Sequence, residues 1–379
     1  MNWTDVYNSV KSLVKSMLIA LFLLCIVELV FRVFVLNDDF NVRISDENLA
    51  KIYGAENIAD YRNVIEEQGK RWIYKPYVEY KESPRLGKFV SVSSNNIRCN
   101  SNGDSSCDIK SGKKVIWLFG GSTMFGYGVK NSETISAHLE EMMPTYEVIN
   151  LGQGAYYSTS ENILFNSYLS QGLFPEIAIF LDGLNDYYFY QVPDRSVASD
   201  SIEDRLSNNI NTLSDPNEFI LAIKKIAVNF NSIVWANNKL RQLKLPKDDK
   251  DFILDDKALS KVRKRIEYNF LSRVAISKIL DIKLLNVLQP IPSYGTGHDN
   301  SNVPTEMIFL GKHANSGRGY LLLDKSKLGT EGINFMDLSN FDIKDSMYVD
   351  TVHYSSKMNK AIAHEIHDFL EKTNKYQKQ

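Results

Sequence analysis

The chain has 379 residues, 44% of them hydrophobic and 24% charged, which excludes a disordered or collagen-like protein and suffices for a sizeable core. Its 44 Lys and Arg against 46 Asp and Glu leave a net charge of −2, so no basic field points to nucleic acid. Three cysteines are too few for a disulfide-dense scaffold, and their spacing matches no zinc ribbon or finger.

The first predicted element is the apolar run SMLIALFLLCIVELVFRVFVL, Ser16 to Leu36. Twenty helical residues at about 1.5 Å each span roughly 30 Å, the thickness of a hydrocarbon core. Glu28 and Arg32 interrupt the run, but at a spacing of four they can pair on one helix face. No small-x-small cleavage site follows it, and Leu24 before Cys25 is too large for lipoprotein processing. The segment therefore reads as a retained anchor, with Cys25 facing lipid. Lys11 and Lys15 on one flank and Asp38 and Asp39 on the other put the N-terminus inside and the body outside. Residues 1–15 are then a cytoplasmic tail and 16–37 a transmembrane anchor.

Residues 38–112 form a juxtamembrane, accessory region, polar and aromatic, in which a helix followed by short or irregular β structure is predicted. Cys99 and Cys107 flank the turn-rich stretch NSNGDSS and can close a short disulfide loop. Such a bridge contributes about 2–3 kcal/mol through loop entropy and persists only in an oxidising compartment. The alternative is a pair of free thiols in a loop.

From residue 113 to 379 the pattern changes to short apolar runs alternating with amphipathic segments. The runs are VIWLF (Val115 to Phe119), YEVINLG (Tyr146 to Gly152), EIAIFLDG (Glu176 to Gly183) and IKLLNVLQP (Ile282 to Pro290). Residues 132–143, 160–171 and 258–280 carry helix-spaced apolar positions. Buried strands alternating with helices predict a parallel sheet covered on both faces. Residues 187–257 form an insertion, predicted as a helical cap or rim, whose charged stretch KLPKDDKDFILDDK reads as a solvated face.

Ligands in such sheets bind where loops leave the carboxyl ends of the strands. Gly120-Gly121-Ser122-Thr123 follows the first run, Asn150 to Ala155 (NLGQGA) the second and Asp182 to Asp186 (DGLND) the third. Asp350-Thr351-Val352-His353 stands near the C-terminus. Acyl transfer explains this inventory. A serine hydroxyl needs a base such as His353 to take its proton, and Asp350 can fix the tautomer of that base. A tetrahedral intermediate needs donors already aimed at its oxygen: the Ser122 N–H, a backbone N–H at Gly154 or Ala155, and the Asn185 amide.

WLFGGSTMFGYGV, VINLGQGAYYSTSE, FLDGLND and YVDTVHYSSKMNKAIAHEI together resemble the four blocks of the SGNH hydrolase (GDSL-like esterase) superfamily, membrane-anchored bacterial type. The resemblance covers about Lys114 to Leu370 and implies an α/β three-layer sandwich with a flavodoxin-like parallel sheet, plus the N-terminal transmembrane helix. It implies Ser122 as nucleophile and first oxyanion donor, Asn185 as another donor, His353 as base and Asp350 as its partner, with no cofactor and no metal. Three positions depart from the family pattern. Gly121 replaces the aspartate before the nucleophile, Ala155 stands where a glycine is expected, and Met358 replaces a glycine of the last helix.

Taken singly, Ser122 reads as a turn serine, Asn185 as a loop cap and Asp350 as a turn cap; their joint position carries the assignment. Tyr187, Tyr188 and Tyr190 are expected at the substrate rim, where they either stack on a sugar ring or simply pack, and Gln289 is expected to border the cleft. Competing motifs fail. Tyr127 stands where a P-loop needs lysine, Met124 breaks G-x-S-x-G, and His364-Glu365-Ile366-His367 is one residue short of H-E-x-x-H.

The expected activity is removal of O-acyl, above all O-acetyl, groups from an envelope or secreted polysaccharide. The expected partners are an acylated carbohydrate, the membrane through the N-terminal helix, and envelope polysaccharide machinery; the catalytic domain is periplasmic or extracellular. Three alternatives stay open. One is O-acetyltransfer by the same triad, one a catalytically silent glycan-binding domain in a membrane assembly, and one a lipase, for which no amphipathic lid is evident.

Overall fold

The computed structural model describes residues 3–34, 46–69, 72–101, 107, 114–188, 253–295, 310–331, 334–343 and 347–376. The chain divides into two compact units, Met1–Ser45 with Asp204–Asp248, and Asp46–Glu203 with Asp249–Gln379. The described part of the first is helix α1, Trp3–Phe34, 32 residues long. Among the described residues no helix is long and apolar enough to cross a membrane. The apolar run includes positions whose side chains lie outside the described residues, Cys25 and Arg32 of the expected pair among them. Most of the 187–257 insertion, Tyr190 included, also lies outside them.

The second unit begins with α2 (Asp46–Tyr53) and α3 (Ile58–Gln68), then an antiparallel hairpin of β1 (Trp72–Lys75) and β2 (Glu79–Glu82). A second short pair, β3 (Arg85–Leu86) and β4 (Ser91–Val92), follows. A disulfide joins Cys99 to Cys107, whose Cα atoms are 5.2 Å apart. Residues 46–69 and 72–101 belong to the same compact unit as the sheet. The Arg98 N–H donates to the Asn150 carbonyl at 3.1 Å, pairing this segment with an edge of the main sheet.

The sheet is built from β5 (Lys114–Gly120), β6 (Tyr146–Asn150), β7 (Ile177–Asp182), β8 (Lys283–Leu288) and β9 (Phe335–Asp337), in the order β6-β5-β7-β8-β9 and all parallel. Interleaved with them are α4 (Ser122–Phe125), α5 (Ile135–Met142), α6 (Ser158–Leu169), α7 (Leu184–Tyr188), α8 (Asp256–Ile279), α9 (Ala314–Leu322) and the final α10 (Ser356–Tyr376). The expected apolar runs form the first four strands, and β9 and α9 add to them.

Strand alternation explains why the runs are apolar throughout. Ile116 and Leu118 of β5 face one core with Ile135, Leu139, Met358 and Ile362 of α5 and α10. Val115, Trp117 and Phe119 face the other with Leu164 and Phe165 of α6. Both faces are covered, so every residue from Val115 to Gly120 is buried, and each large apolar side chain among them contributes about 1.5–3 kcal/mol. Met358 is fully buried in the first core, so its departure from glycine serves packing. Side-chain caps set the helix starts: Thr134 accepts the Ala137 N–H and Asp255 that of Ala258.

Candidate active site

Strand β5 ends at Gly120, and Ser122 opens the one-turn helix α4 directly after it. A Cβ at Gly121 would lie 2.3 Å from Asn185 Nδ2 and 2.9 Å from the Tyr156 carbonyl oxygen, so only glycine lets three loops converge here. Gly126, at φ 87, ends the helix in the left-handed conformation that glycine adopts without strain. The Thr123 hydroxyl donates to Gln289 Oε1 at 2.9 Å and ties the turn to the end of β8.

The structure brings Ser122, His353 and Asp350 into one hydrogen-bonded line. His353 Nε2 is 2.8 Å from Ser122 Oγ, and His353 Nδ1 is 2.6 Å from Asp350 Oδ2. Asp350 Oδ1 accepts the N–H groups of Val352 at 2.9 Å and His353 at 2.8 Å, a local turn that the D-x-x-H spacing permits. The Val349 N–H closes the loop on the His353 carbonyl at 2.8 Å. Burial pushes the Asp350 carboxyl up, but the charge and hydrogen bond of His353 and the two backbone donors outweigh it and hold it well below the usual carboxylate range. A carboxylate at Oδ2 requires the proton on Nδ1, which leaves the Nε2 lone pair for the Ser122 proton.

The donor side is equally constrained. Asn185 donates one amide hydrogen to the Tyr156 carbonyl at 2.8 Å, leaving the second for another acceptor. Gln153 and Tyr156 close a turn, the Tyr156 N–H meeting the Gln153 carbonyl at 3.2 Å, with Ala155 in the left-handed region at φ 64. Glycine, which the family pattern places there, adopts this conformation without strain. Among the described residues, no acceptor takes the N–H of Ser122, Gly154 or Ala155.

Asn185 itself sits between two anchored acids. Asp182 at the end of β7 meets the Arg273 guanidinium, which also bonds Glu161 Oε2 at 3.3 Å and the Ser158 carbonyl at 3.0 Å. Asp186 accepts the Ser158 hydroxyl at 2.6 Å and lies 3.5 Å from Arg265. Gly183, at φ 121, bridges them where a Cβ would meet the Tyr320 hydroxyl at 2.1 Å.

Of the residues expected at the rim, Tyr187 and Gln289 are buried and Tyr188 is half-buried. Tyr187 is fully buried, its ring pressed against Gly319, and packs with Leu184, Val262 and Phe270. Gln289 is 3% exposed, and its Oε1 accepts the hydroxyl of Thr123, the neighbour of Ser122. Tyr188 is half-buried and stacks on His313 with ring centroids 4.3 Å apart. The sequence reading did not find Glu82, Tyr127, Gln153 or Arg273, which hold the loops around the relay.

No family model matches the sequence, and no curated protein matches it either. Among solved structures, the chain is similar to the psychrotrophic esterase EstA from Pseudoalteromonas sp., at 13% identity over 69% of this chain and 98% of that one, with a TM-score of 0.36. It is similar to a lipolytic protein assigned to the G-D-S-L family from Desulfitobacterium hafniense, at 14% identity over 68% and 99%, TM-score 0.34. The acetyl xylan esterase AlAXEase is similar at 13% identity over 66% and 97%, TM-score 0.34. TM-scores this low lend no weight to a functional reading, which rests on the geometry above.

Proposed function

We propose that the chain is a membrane-anchored serine esterase of the SGNH type that removes O-acyl groups, above all O-acetyl, from an envelope or secreted polysaccharide. One observation carries the hydrolase reading: the continuous relay from Ser122 through His353 to Asp350, at 2.8 and 2.6 Å. In this reading His353 Nε2 takes the Ser122 proton as Oγ attacks the ester carbonyl. The oxyanion meets the Ser122 N–H, the Asn185 amide and the N–H of Gly154 or Ala155. His353 then gives the proton to the leaving sugar oxygen. Water, activated by the same imidazole, releases the acid and restores Ser122.

Anchoring and compartment are supported by the apolar run from Ser16 to Leu36 and its flanking charges, and the Cys99–Cys107 disulfide fits an oxidising exterior. The glycan follows from that location and from the sequence resemblance.

The test uses the full chain in detergent with a fluorophosphonate probe, then p-nitrophenyl acetate, then acetylated glycans. Labelling and acetate release should disappear in Ser122→Ala. A folded wild type that neither labels nor turns over would sink the esterase reading in favour of a silent glycan-binding domain. Acetyl groups passed to an added sugar without release of acetate would convert it to O-acetyltransfer. Release of the chain from membranes by alkali would remove the anchor.

A further inference from the structure

One residue outside the relay reaches both halves of the site, one through its carboxylate and the other through its main chain. Glu82, at the end of β2, is fully buried. Its Oε1 accepts the Tyr127 hydroxyl at 2.6 Å and the Trp72 indole N–H at 2.9 Å, while Oε2 accepts from the Arg85 guanidinium at 3.2 Å. A buried charge is tolerable only with such a counter-ion and saturated lone pairs.

From Glu82 one arm runs to the base. The Tyr127 ring, fixed at its hydroxyl, stacks on the His353 imidazole with centroids 5.4 Å apart and planes 25° from parallel. Asp350 at Nδ1 and Ser122 at Nε2 fix the two ends of the imidazole but leave rotation about the line between them, and the Tyr127 ring against its face opposes that rotation. The other arm runs to the donor loop. The Glu82 N–H donates to Gln153 Oε1 at 2.7 Å, Gln153 Nε2 donates to the Asn96 carbonyl at 3.0 Å, and Asn96 Nδ2 returns to the Glu82 carbonyl at 2.8 Å. The Tyr80 hydroxyl holds the Gly154 carbonyl at 3.0 Å. A Cβ at Gly154 would lie 2.9 Å from both Glu82 Oε1 and the Tyr127 hydroxyl, so the loop approaches this cluster as closely as glycine allows.

We propose that Glu82 is a positioning residue through which the β1–β2 hairpin completes the active site, setting the plane of His353 through Tyr127 and the donor loop through Gln153 and Gly154. The purpose of that arrangement rests on the esterase reading; the effect on His353 does not. A charge-assisted bond from Tyr127 is stronger than a neutral one, and misplacing reacting groups by about 1 Å can cost on the order of a hundredfold in rate.

The test compares Glu82→Ala, Glu82→Gln and Tyr127→Phe in the full chain, labelled with 15N-histidine. Tyr127→Phe keeps the ring and loses only the hydroxyl. It should shift or broaden the His353 ring resonances and lower kcat about tenfold with KM within about twofold. Glu82→Ala should do the same or more, and Glu82→Gln, which keeps an oxygen for Tyr127, should restore both readouts even if its melting temperature falls. Unmoved His353 resonances in Tyr127→Phe, or a wild-type kcat in that variant, overturn the proposal, and that variant decides alone if Glu82→Ala does not fold. Moved resonances in a chain whose wild type shows no Ser122-dependent turnover would leave Glu82 positioning His353 and remove the esterase reading instead.

Discussion

Asp350 and Glu161 are both carboxyl groups packed near strand ends, yet their surroundings push them in opposite directions. Asp350 and His353 keep 15% and 20% of their side chains exposed, and the histidine holds the acid well below its usual range. Glu161 and Arg273 keep 2% and 1%. Burial first, and then the charge of Asp182, pushes Glu161 well above the usual range, with Arg273 offsetting only part of it. Glu161, Asp182 and Asp186 share Arg273 and Arg265, so the cluster holds one acid more than it has guanidinium groups. The half-open pair keeps a side that solvent can reach, while the sealed cluster is closed to it and flanks Asn185 in sequence.

Substitutions should separate the two along that line. His353→Ala should lower kcat by about 10⁴–10⁶-fold, and the stability lost with its bond to Asp350 should be smaller than that lost in the sealed cluster; a larger loss would show that the relay mainly supports the fold. Arg273→Met should do the reverse, costing about 3–5 kcal/mol in urea unfolding because Asp182 and Glu161 lose their shared counter-ion. Wild-type stability there would erase the distinction. Asn185→Ala, at the junction, should cost about 2.7–4 kcal/mol of transition-state stabilisation, read as kcat/KM.

The two acids also carry opposite pH signatures. Glu161 titrates in the folded protein above its unfolded value of about 4.3, so its contribution is complete below that pH and is lost as pH rises through the folded value. Asp350 titrates below its unfolded value of about 3.9, so its contribution is present above that pH and lost on acidification. Glu161→Gln should therefore flatten the fall in stability between mildly acidic and alkaline pH, measured by urea unfolding across that range. An unchanged slope would remove Glu161 from the account. The smallest effect belongs to the strained donor loop: Ala155→Gly should stabilise the fold by about 1 kcal/mol, since φ 64 disfavours any side chain.

The relay is legible in the sequence because Ser122 directly follows an apolar run, where parallel sheets expose chemistry, and Asp350 and His353 stand on the loop before the last helix. Glu82 and Gln153 are not, because their bonds join residues 45 to 71 positions apart and no local period announces them. Tyr187 is recoverable. Leu184 and Tyr187 are three apart on α7 and bury together, while Asn185 and Tyr188 share the half-buried face. Gln289 continues the β8 ladder, its N–H on the Asp182 carbonyl at 3.0 Å, a pairing the apolar run ending at Pro290 already suggests. Strand β9, three residues long, and α9, with Gly317 and Gly319 inside it, fall below what periodicity resolves. Those glycines admit the Ser293 backbone and the Tyr187 ring, a reason visible only in the packed molecule.

Ser122 and His353 are 231 positions apart, and the strands between them are parallel, so each pairing waits for a crossover to be made. A nascent chain therefore carries Ser122 long before it carries the imidazole that Ser122 bonds. Until residue 353 has emerged, the relay cannot form, so the Ser122–His353 contact is among the last that synthesis allows this unit to make.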